Sequence, residues 1–186
     1  METVFIAAGL VFVAELGDKS QLMAMTFATR YRARTVILGM GVACALINLA
    51  SALVGEALGA WLPADLLRIA AGAVFLLFAA LTAWSLWQAE EDEEPEIQAH
   101  SGQALLAVGT AFALAELGDK TMFATMTLST QYPWVWVWLG STLGMVTSIM
   151  LAVVLGKQIL KVVPVRVVHA VTALAFAALG VWMLLG

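Results

Sequence analysis

"VFVAELGDKSQL", residues 11–22, sets two acids and a lysine inside an apolar run, and "FALAELGDKTMF", residues 112–123, does the same again. What surrounds these charges decides what they mean. Of the 186 residues, 62% are hydrophobic and 12% charged, where an ordinary soluble domain has about a quarter of its residues charged. Six apolar runs can be marked, roughly 4–29, 35–61, 66–88, 102–128, 134–158 and 165–186. A helix needs about 20 mostly apolar residues to cross the ~30 Å hydrocarbon layer. The chain therefore reads as an all-α integral membrane protein of six transmembrane helices, with little left over for a soluble domain.

The remaining composition narrows the class further. The lone Cys44 excludes an internal disulfide and sits in the second run as a small buried residue would. The opening "METVF" carries an acid where a cleavable leader would carry basic residues, so the first run reads as a retained helix. Of the 13 acids behind the net charge of −4, six fall in "EEDEEPE" at 90–96. That run reads as a soluble connector. Pro63, Pro133 and Pro164 mark helix boundaries in the short connectors, because proline restricts both itself and the residue before it.

The two halves superpose without a gap at a constant offset of 101 residues. Glu15 falls on Glu116, Gly17 on Gly118, Asp18 on Asp119 and Lys19 on Lys120, and the match continues through Met25 on Met126, Gly39 on Gly140, Pro63 on Pro164 and Phe75 on Phe176. This is an internal duplication rather than a short motif occurring twice. Residues 1–88 form a first three-helix repeat, 89–101 an acidic connector, and 102–186 a second repeat. Three spans end on the side opposite to where they began, so the second repeat is expected to be inverted. Many secondary transporters are built this way, with the substrate site at the repeat interface near the midplane.

Loop arginines and lysines accumulate on the cytoplasmic side. Arg30, Arg32, Arg34, Lys157, Lys161 and Arg166 all fall on one side and only Arg68 on the other. Both termini are thus expected outside and the 89–101 connector in the cytoplasm.

Glu15 and Glu116 lie near the middle of their runs, where even lenient insertion scales charge about 2.5–3.5 kcal/mol for each Asp or Lys. Ionisable residues at that depth usually mark ion pathways or proton relays. In a continuous helix, Glu15, Asp18 and Lys19 share a face, as do Glu116, Asp119 and Lys120. Four carboxylates then converge on one site, and four acids against two lysines leave a formal charge of −2. Oxygen-rich acidic sites suit hard divalent cations such as Ca²⁺ and Mn²⁺. One divalent ion or two protons would neutralise the site. Buried carboxylates without a cation favour their protonated form, and metal binding takes the ionised form and displaces protons. Exchange of a divalent cation for protons follows if the site opens to one side at a time. Gly17 and Gly118 would permit either close helix approach or a local break that exposes carbonyls. Each lysine is placed to pair with the glutamate one turn before it.

Ser20, Gln21 and Thr121 adjoin the acids, Thr26 and Thr127 continue their faces along the route, and Asn48, with Thr147 and Ser148, offers further oxygens near mid-span. Asn48, Thr147 and Ser148 more often bridge helices by hydrogen bonds than bind ions. Met25 and Met126 read more simply as core packing than as soft ligands.

Twin Glu-x-Gly-Asp-Lys/Arg-Ser/Thr motifs, "ELGDKS" at 15–20 and "ELGDKT" at 116–121, each on the first helix of a three-helix repeat, resemble the family of the Golgi calcium/manganese:proton exchanger. Its bacterial members look like manganese exporters. The resemblance covers nearly the whole chain. It implies that Glu15, Asp18, Glu116 and Asp119 are the cation and proton ligands, with Lys19, Ser20, Lys120 and Thr121 as the remaining motif positions. Many members also carry Gln just after the motif; Gln21 keeps it and Met122 does not. The implied function is export of Mn²⁺, with Ca²⁺ as the alternative cargo, from a bacterial inner membrane. The metal is cargo, with no resident cofactor and no catalytic residue, and the partners are the ion and the lipid bilayer. No nucleic acid is expected, and a homo-oligomer is left open. Two other classes fit parts of the pattern. Paired membrane aspartates can make an intramembrane aspartyl protease, and the same acids could line a passive cation channel.

Overall fold

A computed structural model describes residues 2–85, 104–162 and 165–185. The acidic connector expected at 89–101 lies outside the described residues. Every element among them is a helix: α1 (Glu2–Glu15), α2 (Lys19–Arg30), α3 (Ala33–Trp61), α4 (Ala64–Ser85), α5 (Ala104–Glu116), α6 (Lys120–Ser129), α7 (Trp134–Val162) and α8 (Val165–Leu185). Among the described residues, three segments are long and apolar enough to cross a membrane: Ala33–Trp61, Asp65–Trp84 and Trp134–Val154. Ala104–Glu116 and Ala170–Leu185 are shorter apolar helices.

The apolar runs 4–29 and 102–128 are not single helices. Each is interrupted at Leu-Gly-Asp, so that α1 passes to α2 and α5 to α6 through a three-residue break. Gly17 has φ 70° and Gly118 φ 80°, and these are the glycines with positive φ among the described residues. Left-handed backbone is readily adopted only by glycine, because a Cβ would crowd the following carbonyl. The aspartate after each glycine returns to extended backbone and serves as N-cap of the next helix. Of the two uses expected for these glycines, the local break is the one realised.

The helices of one half pack mainly on those of the other. α4 runs along α8, α1 along α7 and α5 along α3, while α3 crosses α7 and the short helices α6 and α2 lie on α3 and α7. In an apolar medium such packing depends on small residues that let backbones approach. A Cβ on Gly39 would sit 2.9 Å from the carbonyl oxygen of Leu105, and one on Gly140 would sit 2.5 Å from that of Val4. Phe75 of α4 and Phe176 of α8 stack with ring centroids 5.9 Å apart.

The polarity is that of a protein in lipid. Leu46, Leu77, Val154 and Leu174 are exposed, whereas Glu15, Glu116, Asn48 and Thr125 are almost completely buried. Hydrocarbon outside and acids inside reverses the rule for proteins in water.

Candidate metal centre

The two breaks bring four half-helix ends together. Glu15 is the last residue of α1 and Glu116 the last of α5, and Asp18 and Asp119 cap the starts of α2 and α6. Helix C-termini present free carbonyls and a partial negative charge that favours cations, and N-termini favour anions. The glutamates therefore stand at the cation-favouring ends and the aspartates at the ends that stabilise carboxylates. Each turn is closed in the same way. The Asp18 N–H donates to the Glu15 carbonyl at 3.3 Å and the Asp119 N–H to the Glu116 carbonyl at 3.1 Å. The Asp18 side chain also accepts from the Lys19 N–H at 2.9 Å.

Oxygens of Glu15, Asp18 and Asp119 lie within 4.8 Å of one another. A single ion could be reached by all three from both halves of the chain. Glu116 is not part of that triplet, but it lies within electrostatic reach of Glu15, Asp119 and Lys19. Glu15 Oε1, Glu116 Oε1 and Asp119 Oδ2 are buried without a hydrogen-bond partner. Buried acceptors left open are uncommon in a folded protein, and a proton, a water or an ion would satisfy them.

The ion pairs differ from the sequence expectation. Lys19 Nζ is 3.0 Å from Asp119 Oδ1, and Lys120 Nζ is 2.6 Å from Asp18 Oδ2, so each lysine pairs across the breaks rather than with the glutamate of its own motif. The expected shared face presupposed an unbroken helix. Here the glutamate closes one helix and the lysine opens the next, so the i, i+4 relation does not hold.

The hydroxyls after the lysines support the glutamates. Ser20 Oγ donates to Glu15 Oε2, and Thr121 Oγ1 donates to Glu116 Oε2 at 3.5 Å. Gln21 ties the first break down: its Oε1 accepts from the Gly17 N–H at 2.9 Å and its Nε2 donates to Ser148 Oγ at 2.8 Å. At the second break the Gly118 N–H reaches the Met122 sulfur at 3.3 Å.

Asn48 does not join the acids. Its Oδ1 accepts from Thr125 Oγ1 at 3.2 Å, and Thr125 Oγ1 is also 3.0 Å from Ser141 Oγ. Thr26 is half-buried and Thr127 buried, and their carbonyls accept from Thr29 and Thr130 at 2.7 and 2.8 Å. Thr147 is exposed and bonds to the carbonyl of Leu143. Sequence reasoning missed Thr125 and Ser141. The signal was available in the offset of 101, which sets these two polar residues on Ala24 and Met40.

With the geometry in place, comparison with known proteins adds chemistry. The family model described as "Divalent cation/proton antiporter GDT1" matches residues 3–92 and 104–186. A Vibrio cholerae protein described as "Putative manganese exporter" is 33% identical over 176 residues, which cover 93% of this chain and 86% of that protein. A GDT1-like protein of Synechocystis is 31% identical over 184 residues, covering 90% and 89%. "GDT1-like protein 3" of Arabidopsis thaliana is 25% identical over 203 residues, covering 97% and 69%. No solved structure matches.

Proposed function

The chain belongs to the GDT1 family of divalent cation/proton antiporters, and from that premise we propose that it exports Mn²⁺ in exchange for protons through the carboxylates at its two helix breaks. The family is one of transporters, which sets aside the protease reading. The observation that carries the proposal is the convergence of Glu15, Asp18 and Asp119 oxygens within 4.8 Å, beside the open acceptor of Glu116.

The cycle uses the charge balance of the site. With a divalent ion bound, Glu15, Asp18, Glu116 and Asp119 are ionised and hold it, and Lys19 and Lys120 balance the remaining charge. When the ion leaves, two protons restore neutrality, because uncompensated carboxylates in a low-dielectric interior favour their protonated form. The crossed Lys–Asp pairs then keep the empty site assembled. Ser20 and Thr121 hold one oxygen of each glutamate, and Gln21 fixes the first break. Mn²⁺ is favoured over Ca²⁺ by the description of the Vibrio relative, and hard oxygen ligands accept both.

The membrane arrangement belongs to the same proposal. Six spans, two of them broken, form two inverted three-helix repeats, 1–88 and 102–186. Matching pairings of α1 with α7 and α5 with α3 support that division. Both termini lie outside, the 89–101 connector is cytoplasmic, and the membrane is a bacterial inner membrane. Discontinuous helices that end at a midplane site are the usual transporter device for presenting carbonyls and helix dipoles to an ion.

The test is Mn²⁺ and Ca²⁺ flux in proteoliposomes under an imposed pH gradient, for wild type, Asp18→Asn and Glu116→Gln. Uphill Mn²⁺ movement driven by protons and lost in both variants is expected. Flux that ignores the pH gradient would identify a channel, and full flux in both variants would remove the carboxylate site.

A further inference from the structure

The break in the first motif severs one helical hydrogen bond, and side chains take up both of its halves. In an unbroken helix the Gly17 N–H would donate to the Val13 carbonyl. That N–H is held instead by Gln21 Oε1 at 2.9 Å, and Gln21 is held in turn by Ser148 of α7, whose Oγ accepts from its Nε2 at 2.8 Å. The Val13 carbonyl accepts from Thr172 Oγ1 of α8 at 2.9 Å, besides a longer 3.3 Å contact from the Leu16 N–H. Thr172 and Ser148 are both fully buried. Val13 lies two residues before Glu15 at the end of α1. Thr172 therefore grips the end of the half-helix that carries this glutamate, and Ser148 grips, through Gln21, the glycine before Asp18.

A hydroxyl residue in an apolar helix ordinarily returns its hydrogen to the carbonyl one turn back in the same helix. Thr110, Thr147 and Ser51 do so, onto Leu106, Leu143 and Ile47. Thr172 crosses to another helix instead. The second break is built without either hydroxyl. At the offset of 101, Thr172 and Ser148 fall on Ala71 and Ile47, and the Gly118 N–H meets the Met122 sulfur. There α4 meets α6 through apolar rings, with the centroids of Phe78 and Phe123 6.0 Å apart. A three-helix repeat thus folds without these hydroxyls, and their use at the first break calls for a reason beyond the fold.

We propose that Thr172 and Ser148 are positioning residues of the ion site, which hold the two halves of the severed hydrogen bond apart and thereby fix where Glu15 and Asp18 stand. Neither is a ligand. Thr172 acts through the Val13 carbonyl and Ser148 through Gln21. Partners behind the ligands orient them and tune affinity for the metal, and a site that gathers oxygens from both halves of the chain tolerates little drift in either half-helix. The inference rests on the transport reading above and adds to it the residues that set ion affinity from α7 and α8.

The experiment measures equilibrium Mn²⁺ binding to the full chain in detergent beside thermal unfolding. Thr172→Val keeps the side-chain volume and removes the hydroxyl, and Mn²⁺ affinity is expected to fall about tenfold, the lower end of the range for such partners. Thr172→Ser keeps the hydroxyl and should bind as wild type does. Ser148→Ala should also lose about tenfold, and the double variant should fall short of the hundredfold product, because residues that hold one network are not additive. A melting temperature lowered by Thr172→Val with Mn²⁺ affinity unchanged would overturn the proposal, since that is a role in stability alone. An equal loss in Thr172→Ser would overturn it by assigning the effect to packing, and a full hundredfold loss in the double variant by making the two grips independent. If Thr172→Val does not fold, Ser148→Ala in a Gln21→Met background decides: no further loss of affinity supports the route through Gln21, and a further tenfold loss overturns it. Wild-type protein that binds no Mn²⁺ would instead remove the transport reading itself.

Discussion

The two breaks, 15–21 and 116–122, share one skeleton and differ in their fastenings. Each has a left-handed glycine, an aspartate N-cap, a lysine that crosses to the opposite aspartate and a hydroxyl on its glutamate. The first is secured by Gln21, which holds the Gly17 N–H and reaches Ser148, and by the Asp18 cap. The second has a thioether acceptor, and Asp119 makes no side-chain cap hydrogen bond. What both copies keep is what the proposed ion site draws from each half. The first break is the anchored half and the second the looser one, next to the polar seam of Asn48 and Thr125.

The largest expected effect breaks the shared skeleton. Asp18→Asn or Glu116→Gln removes a proposed ion ligand, and Mn²⁺ flux should fall by more than the about 100-fold upper range for losing an outer-shell partner. Equal and severe losses from the two halves would support a single site. A variant retaining flux would break the equivalence of the copies.

Next come the glycines. Gly118→Ala should lower stability by about 1–2 kcal/mol, the penalty of left-handed backbone for a residue with a Cβ. A Cβ there meets nothing within 4 Å, so backbone strain is the whole effect. Gly118→Asn should lose less, because Asn tolerates this conformation better. Thermal unfolding in detergent checks both, and a neutral Gly118→Ala would argue against the break.

The lysines should be unequal. The Lys120 side chain is 17% exposed and that of Lys19 42%. Lys120→Ala strands Asp18 in the more buried pair and should destabilise more than Lys19→Ala, which should stay within about 1 kcal/mol. The same melting experiment ranks them, and the reverse order would contradict the burial reading.

The smallest effect concerns the fastenings. Gln21→Met should cost about 1 kcal/mol for its lost hydrogen bonds. Met122→Gln should stabilise the second break by a similar amount, by giving the Gly118 N–H a stronger acceptor. If Met122→Gln also slows transport, the looseness of the second break is functional.

How much of this was legible in the sequence varies from residue to residue. The acids, their duplication and the apolar runs were plain, because charges inside an apolar run are expensive wherever the helices go. The interruption at Gly17 and Gly118 was visible only as one of two options, since glycine permits both a close approach and a break. The crossed Lys–Asp pairs could not be read, because they depend on how α2 and α6 meet, and local periodicity says nothing about that. Thr125 and Ser141 went unnoticed because a lone hydroxyl in an apolar helix is ordinary. Their counterparts at the offset of 101 are the apolar Ala24 and Met40.

The central claim is that the two motifs make one ion site between them. Equilibrium Mn²⁺ binding to purified wild type, Asp18→Asn and Asp119→Asn tests it most directly. A single ion bound by wild type, and lost on either substitution alone, is the expected result; Asp18→Asn protein that still binds Mn²⁺ with wild-type affinity through the second motif would contradict it.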